Sequence, residues 1–201
     1  MKYHRVNTGD RRLQIARAAL QIIAQQGVGR LTTARLAREV GLSEAAIYKY
    51  FDSKDDVLYF ALKFVHDTLT SKMEQIISGK GDPVEKLIKL IQFQFAFLGE
   101  NQGVPRVIFS EQLYLGNNEL RQMYLQTIDK YFLFLQRLVK EGIHEGIFRK
   151  ELDPEMAATA CMGLVQTTVF RWSLTENKTD LNSKVNQIIS FLKDCWGYSN
   201  T

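Results

Sequence analysis

The chain has 201 residues, 45% of them hydrophobic and 24% charged, with a formal net charge of +4. That length and balance suit one or two folded globular domains and exclude a disordered chain. Its two cysteines, Cys161 and Cys195, form no CxxC pair, which excludes zinc-ribbon and thiol-redox chemistry and suits a reducing cytosolic setting.

The first 60 residues carry ten Lys/Arg against six Asp/Glu, and the rest of the chain carries sixteen of each. A phosphate backbone would attract such a segment, although four surplus charges also suit plain solvation. The stretch MKYHRVNTGDRR has no apolar run of a secretory signal. The uncharged segment Met156–Phe170 has 15 residues, four of them Thr or Gln, against the ~20 apolar residues of a membrane span. No membrane partner is expected.

Helical periodicity predicts an all-α fold of about nine helices. The first opens at Asp10 as N-cap, buries Ile15, Ala16, Ala19, Ile22 and Ile23 on one face, and ends at Gly27 and Gly29. Short helices follow at Thr33 to Val40 and Glu44 to Tyr50. Asp52 and Ser53 cap a long helix from Lys54 to Ser78. Asp82 with Pro83 at the first position starts another, to Leu98. Gly99 to Pro105 reads as a loop, followed by a short helix with Phe109 and Leu113 and a turn at Gly116-Asn117-Asn118. Glu119 to Glu141, Pro154 to Leu174 and Asp180 to Trp196 complete the set.

The two short helices have helix-turn-helix spacing. Ala37 is small where the pair crosses, Gly41 permits the positive φ of a tight turn, and Ser43 can cap the second helix. Leu36, Val40, Leu42 and Ile47 are spaced to clamp the pair. A plain helical hairpin would share much of this pattern.

The run AALQIIAQQGVGRLTTARLAREVGLSEAAIYKYFDSKDDVL resembles the N-terminal domain of the tetracycline-repressor (TetR) family over about residues 10 to 60. The resemblance is carried by Thr32/Thr33, Ala37, Gly41, Tyr48, Phe51 and Lys54. It implies a helix-turn-helix DNA-binding domain at residues 1–53 and a helical effector-binding and dimerisation domain at 54–201. Function follows as an expectation: a sequence-specific transcriptional regulator, a repressor released by a small apolar or aromatic effector. The alternative is a DNA binder of this type controlled by a protein partner or acting in chromosome organisation.

In the reader helix, Ser43, Glu44, Ala45 and Ala46 would face base edges, with Lys49 one turn on. The short Ala side chains would let the helix approach closely, and either methyl could meet a thymine methyl. Glu44 could accept from cytosine but also favours the helix dipole. The resemblance assigns Thr33, Tyr48, Tyr50 and Lys54 to phosphates. The family often carries a basic residue at the position of Ala34, where Arg35 beside it would have to serve. For Phe51 core packing is the preferred reading. Lys2, Arg5, Arg11 and Arg12 would either reach a flanking groove or stay solvated.

The resemblance also implies a homodimer through the last two helices, a palindromic duplex as target, and an effector pocket. The residues allow the dimer independently, because the helix from Pro154 is apolar almost all round and so needs burial on two sides. Its Ala157, Ala160 and Gly163 would admit a partner helix. Candidate pocket residues are Phe93, Phe97, Phe109, Leu113, Tyr114, Tyr124, Met162, Gln166 and Phe170, each of which also suits an ordinary core. The scattered His4, His66 and His144 and the absence of HExxH, GxSxG or a P-loop give no catalytic or metal set, and no cofactor is expected. A cytoplasmic, nucleoid-associated protein is the expectation.

Overall fold

A computed structural model describes residues 7–111, 113, 118–175 and 180–198. They form nine α-helices and no strand. α1 spans Thr8–Gln26, α2 Thr33–Glu39, α3 Glu44–Ile47, α4 Lys54–Ser78, α5 Pro83–Glu100, α6 Gly103–Ile108, α7 Asn118–His144, α8 Pro154–Leu174 and α9 Val185–Trp196. No described helix is long and apolar enough to cross a membrane.

Local chemistry sets most boundaries. The Asp82 carboxylate accepts from the amides of Val84 and Glu85 at 2.8 and 2.9 Å, and the Asp153 carboxylate from those of Glu155 and Met156 at 2.8 and 3.0 Å. Each caps a helix whose first residue is a proline, where a missing N–H costs nothing. Elsewhere the expectations need correction. Asn7, not Asp10, caps α1, and Asp10 lies inside its first turn. α3 stops at Ile47 rather than Tyr50, because the amides of Lys49 and Tyr50 reach back three residues, to Ala46 and Ile47, and tighten the last turn. The expected loop at Gly99 to Pro105 is largely helical. α5 continues to Glu100, and α6 begins at Gly103 with Pro105 in its first turn. Phe109 is the C-cap of α6 rather than part of a later helix. A 3-10 turn, Leu181–Lys184, capped by Asp180, precedes α9 where a continuous helix was expected.

The chain packs as two compact units. The first holds the described parts of Met1–His66 and Asn101–Met123, and the second Asp67–Glu100 with the described part of Tyr124–Thr201. This grouping by packing places the first half of α4 and all of α6 with the N-terminal helices. In the first unit, Ile15, Ala19, Ile23, Leu36, Ile47 and Val57 are fully buried. α6 lies on α1, and Gly103 meets the Leu20 backbone so closely that a Cβ would collide with the Leu20 carbonyl. In the second unit, Leu90, Ile91, Phe95, Leu135, Cys161 and Val165 form the core. Ala157, expected at a partner contact, is buried within its own chain. Ala160 and Gly163 are exposed, as are Met156 at 64%, Phe170 at 41% and Leu174 at 66%.

Candidate nucleic-acid interface

The reader is assembled from backbone outward. The Thr32 hydroxyl accepts from the Arg35 amide at 3.2 Å and caps α2; the Ser43 hydroxyl does the same for α3 through the Ala46 amide at 3.2 Å. Between them Gly41 adopts φ +67°, a left-handed conformation that an L side chain rarely takes. The Leu42 amide donates to the Ala37 carbonyl at 2.8 Å and closes the turn. Leu36, Ala37 and Ile47 are buried behind it, whereas Val40 and Leu42 are only half-buried at its rim. Ser53 accepts from the Asp56 amide at 3.1 Å and caps α4, on whose first turn Lys54 is exposed.

The outward face then carries Ser43, Glu44, Ala45, Tyr48 and Lys49, all exposed, with Tyr48 at 52%. Ala46 and Tyr50 are half-buried. Lys49 and Lys54 hold no ion pair with the described residues. Thr33 is half-buried at the first position of α2, and the capping hydroxyl belongs to its neighbour Thr32. Arg35 donates through Nη1 to Gln26 at the end of α1, so its guanidinium is already engaged within the protein.

Behind the reader lies a contact that the sequence did not suggest. Phe51 is 3% exposed and meets Phe60 edge-on, with ring centroids 5.5 Å apart. The Arg12 guanidinium lies over both rings, at 4.7 and 4.6 Å from their centroids. Arg12 is therefore a cation–π clamp holding α1 against the end of the reader, and neither a DNA arm nor a solvated tail. Arg11 is tied to Gln14 at 2.7 Å. Lys2 and Arg5 lie outside the described residues.

The expected effector residues are distributed over the two units. Phe109 and Leu113 belong to the first unit, and Phe93, Phe97, Tyr124, Met162, Gln166 and Phe170 to the second. Tyr114 lies outside the described residues. Phe93 and Phe97 touch, with centroids 5.9 Å apart. Met162 is core, and Phe170 is among the exposed residues of α8. Phe93 also lines an open groove of about 570 Å³ with Ile76, Val185, Gln92, Lys72 and Lys89. Lys72 and Lys89 stand at the edge of that groove, Lys89 paired with Glu85 at 3.8 Å.

Two polar atoms of the second unit were likewise missed. The Tyr131 hydroxyl on α7 and the Gln94 side-chain oxygen on α5 are buried without a hydrogen-bond partner among the described residues. Burial, and then the neighbouring Cys161, push Tyr131 well above its ordinary 10.0; burial pushes the Cys161 thiol up to about 12. No cluster able to hold a metal occurs among the described residues.

Comparison with known proteins agrees with this geometry. Residues 15–59 match the model of bacterial regulatory proteins of the tetR family, and residues 63–195 match that of the YsiA-like protein C-terminal region. The fatty acid metabolism regulator protein of Bacillus subtilis (strain 168) is 28% identical over 180 residues, covering 90% of this chain and 92% of its own length. The nucleoid occlusion factor SlmA of Aliivibrio fischeri (strain MJ11) is 26% identical over 185 residues, covering 91% and 94%. The crystal structure of the transcriptional regulator FadR from Bacillus subtilis in complex with stearoyl-CoA superposes with a TM-score of 0.74 at 30% identity, covering 89% of this chain and 96% of that one. With both family models matched in order along one chain, and a helix-turn-helix turned outward at its N-terminal end, this protein belongs to the tetR family and is a DNA-binding transcriptional regulator.

Proposed function

We propose that the chain is a homodimeric repressor in the cytoplasm, bound to a palindromic operator on the nucleoid and released by an acyl-chain effector. Residues 1–53 read DNA, and residues 54–201 bind the effector and the partner subunit. The observation that carries this reading is the exposed face of the reader. Lys49 and Tyr48 stand exposed beside the short Ala45, on a segment that holds all of the chain's excess positive charge. Such a face has little role in folding and fits a major groove lined by phosphates. Lys49 supplies a base or phosphate contact. Thr33, Tyr50 and Lys54 flank it toward the backbone, with Ser43, Glu44 and Ala46 at the helix start. Arg35 joins them only on leaving Gln26.

The effector is an apolar chain carried on an anionic group. The relative crystallised with stearoyl-CoA supports this class, as does a groove that sets Ile76 and Phe93 beside Lys72 and Lys89. Release requires that the effector favour a state in which the two readers no longer match one DNA turn, ~34 Å.

Selection from random duplexes tests the reading. The wild-type chain should retain a palindromic consensus with half-sites about one helical turn apart. If Lys49 reads a base, Lys49→Ala blurs one position; if it holds phosphate, all sites weaken and the salt dependence drops by about one ion. Retention without a consensus would overturn specific repression. It would favour the second reading, chromosome organisation or control by a protein partner, which the nucleoid occlusion relative and the exposed apolar residues of α8 support.

A further inference from the structure

Tyr131 sits on α7 in the core of the second unit, 3% exposed, and its hydroxyl meets no acceptor or donor among the described residues. A phenylalanine would pack the same ring without stranding a polar group, and buried hydroxyls are seldom left unpaired in folded proteins. Gln94 Oε1 on α5 is stranded in the same unit. A buried hydroxyl left unsatisfied in the unit assigned to the effector can take its hydrogen bond from the ligand.

The chemistry of the partner follows from the surroundings. Burial keeps Tyr131 protonated, so it is a donor seeking an acceptor. The same burial pushes the Cys161 thiol up to about 12. A region that resists ionising its own side chains also resists a buried carboxylate, which would have to shed its hydration. The acceptor that fits is an uncharged carbonyl oxygen.

Resting on the effector reading above, we propose that the Tyr131 hydroxyl donates a hydrogen bond to the ester or thioester carbonyl oxygen of the bound effector. The protein thereby distinguishes an activated acyl group from a chain that lacks the carbonyl. Tyr131 is thus a ligand-binding residue.

The test uses the full chain on its selected operator, with release followed by fluorescence anisotropy. The probes are stearoyl-CoA and its S-octadecyl thioether, in which a methylene replaces the carbonyl. Wild type should release DNA at about tenfold lower concentration of the thioester than of the thioether. In Tyr131→Phe that difference should vanish, the thioester weakening by about tenfold to the level of the thioether while the thioether response stays unchanged. Effector-free Tyr131→Phe should melt at the same temperature as wild type or higher, since it loses only an unpaired hydroxyl. A fall of about 2 °C or more would mean that the hydroxyl already has a partner in the effector-free protein, and would overturn the proposal. So would equal action of the two probes on wild type, or discrimination that survives in Tyr131→Phe; either leaves the effector reading standing. If neither probe releases DNA from wild type, the acyl-effector reading fails and the carbonyl contact falls with it.

Discussion

Cys161 shows how much a single buried group can say about conditions. Its thiol is 0% exposed, and burial raises it from an ordinary 9.0 to about 12. Below pH 9 the thiol is protonated in both folded and unfolded chains, and the full stability is present. Above that, only the unfolded chain sheds the proton, so stability falls by about 1.4 kcal/mol per pH unit until the folded thiol also ionises. Tyr131, raised in the same way, steepens the loss above pH 10. Urea midpoints between pH 8 and 11, taken in reductant, should therefore decline. Cys161→Ala should start lower, because it leaves a small cavity, but decline less steeply. An equal slope would mean that the thiol is not desolvated. Gly41 and Ser43 were legible because a turn and a cap are set by neighbours in sequence. Phe51, too, was read correctly as core. The state of Cys161, the stranded hydroxyl of Tyr131 and the Arg12 clamp depend on residues tens of positions away, which no local pattern encodes.

Among the elements, α6 was the one most poorly legible. Gly99, Gly103 and Pro105 read as loop by propensity, yet Gly103, Val104, Pro105 and Val107 are buried, and α6 lies on α1. Burial overrides propensity here, and the glycine is needed for approach rather than for flexibility. Two substitutions separate those roles. At Gly103 a Cβ would strike the Leu20 carbonyl, which is backbone and cannot swing aside. Gly103→Ala should cost about 1–3 kcal/mol, read as a lower urea midpoint. At Gly99, also helical, a Cβ would meet nothing within 4 Å. Gly99→Ala should be neutral or stabilising by about 0.5–1 kcal/mol, as expected for an open helix position. If both behaved alike, the α1–α6 contact would not be tight. By comparison α4, α5 and α8 began where the sequence placed them, because Ser53, Asp82 and Asp153 are caps that act within three residues.

For the whole molecule, the question is what covers α8. Met156, Ala160, Gly163, Thr167, Phe170 and Leu174 are all exposed and recur at intervals of four and three, the spacing of a helix seam. The sequence indicated that α8 needs burial on two sides but could not say which residues face inward, and Ala157 was assigned to the wrong one. Its outer side suits a second copy of the chain, since a two-fold pairing sets this seam against itself. Gly163 lies in the middle of the seam, and a Cβ there meets nothing within 4 Å of its own chain. Gly163→Glu should therefore leave the subunit folded, with helix propensity improved rather than lost, while placing two carboxylates where the seams approach most closely. Sedimentation should shift from twice the chain mass to the chain mass. Operator affinity should fall by about a hundredfold or more, because one reader no longer raises the effective concentration of the other. A variant that remains dimeric with full affinity would place the interface elsewhere. A variant that becomes monomeric with affinity intact would show that one reader suffices, and the palindrome would then be no requirement of binding.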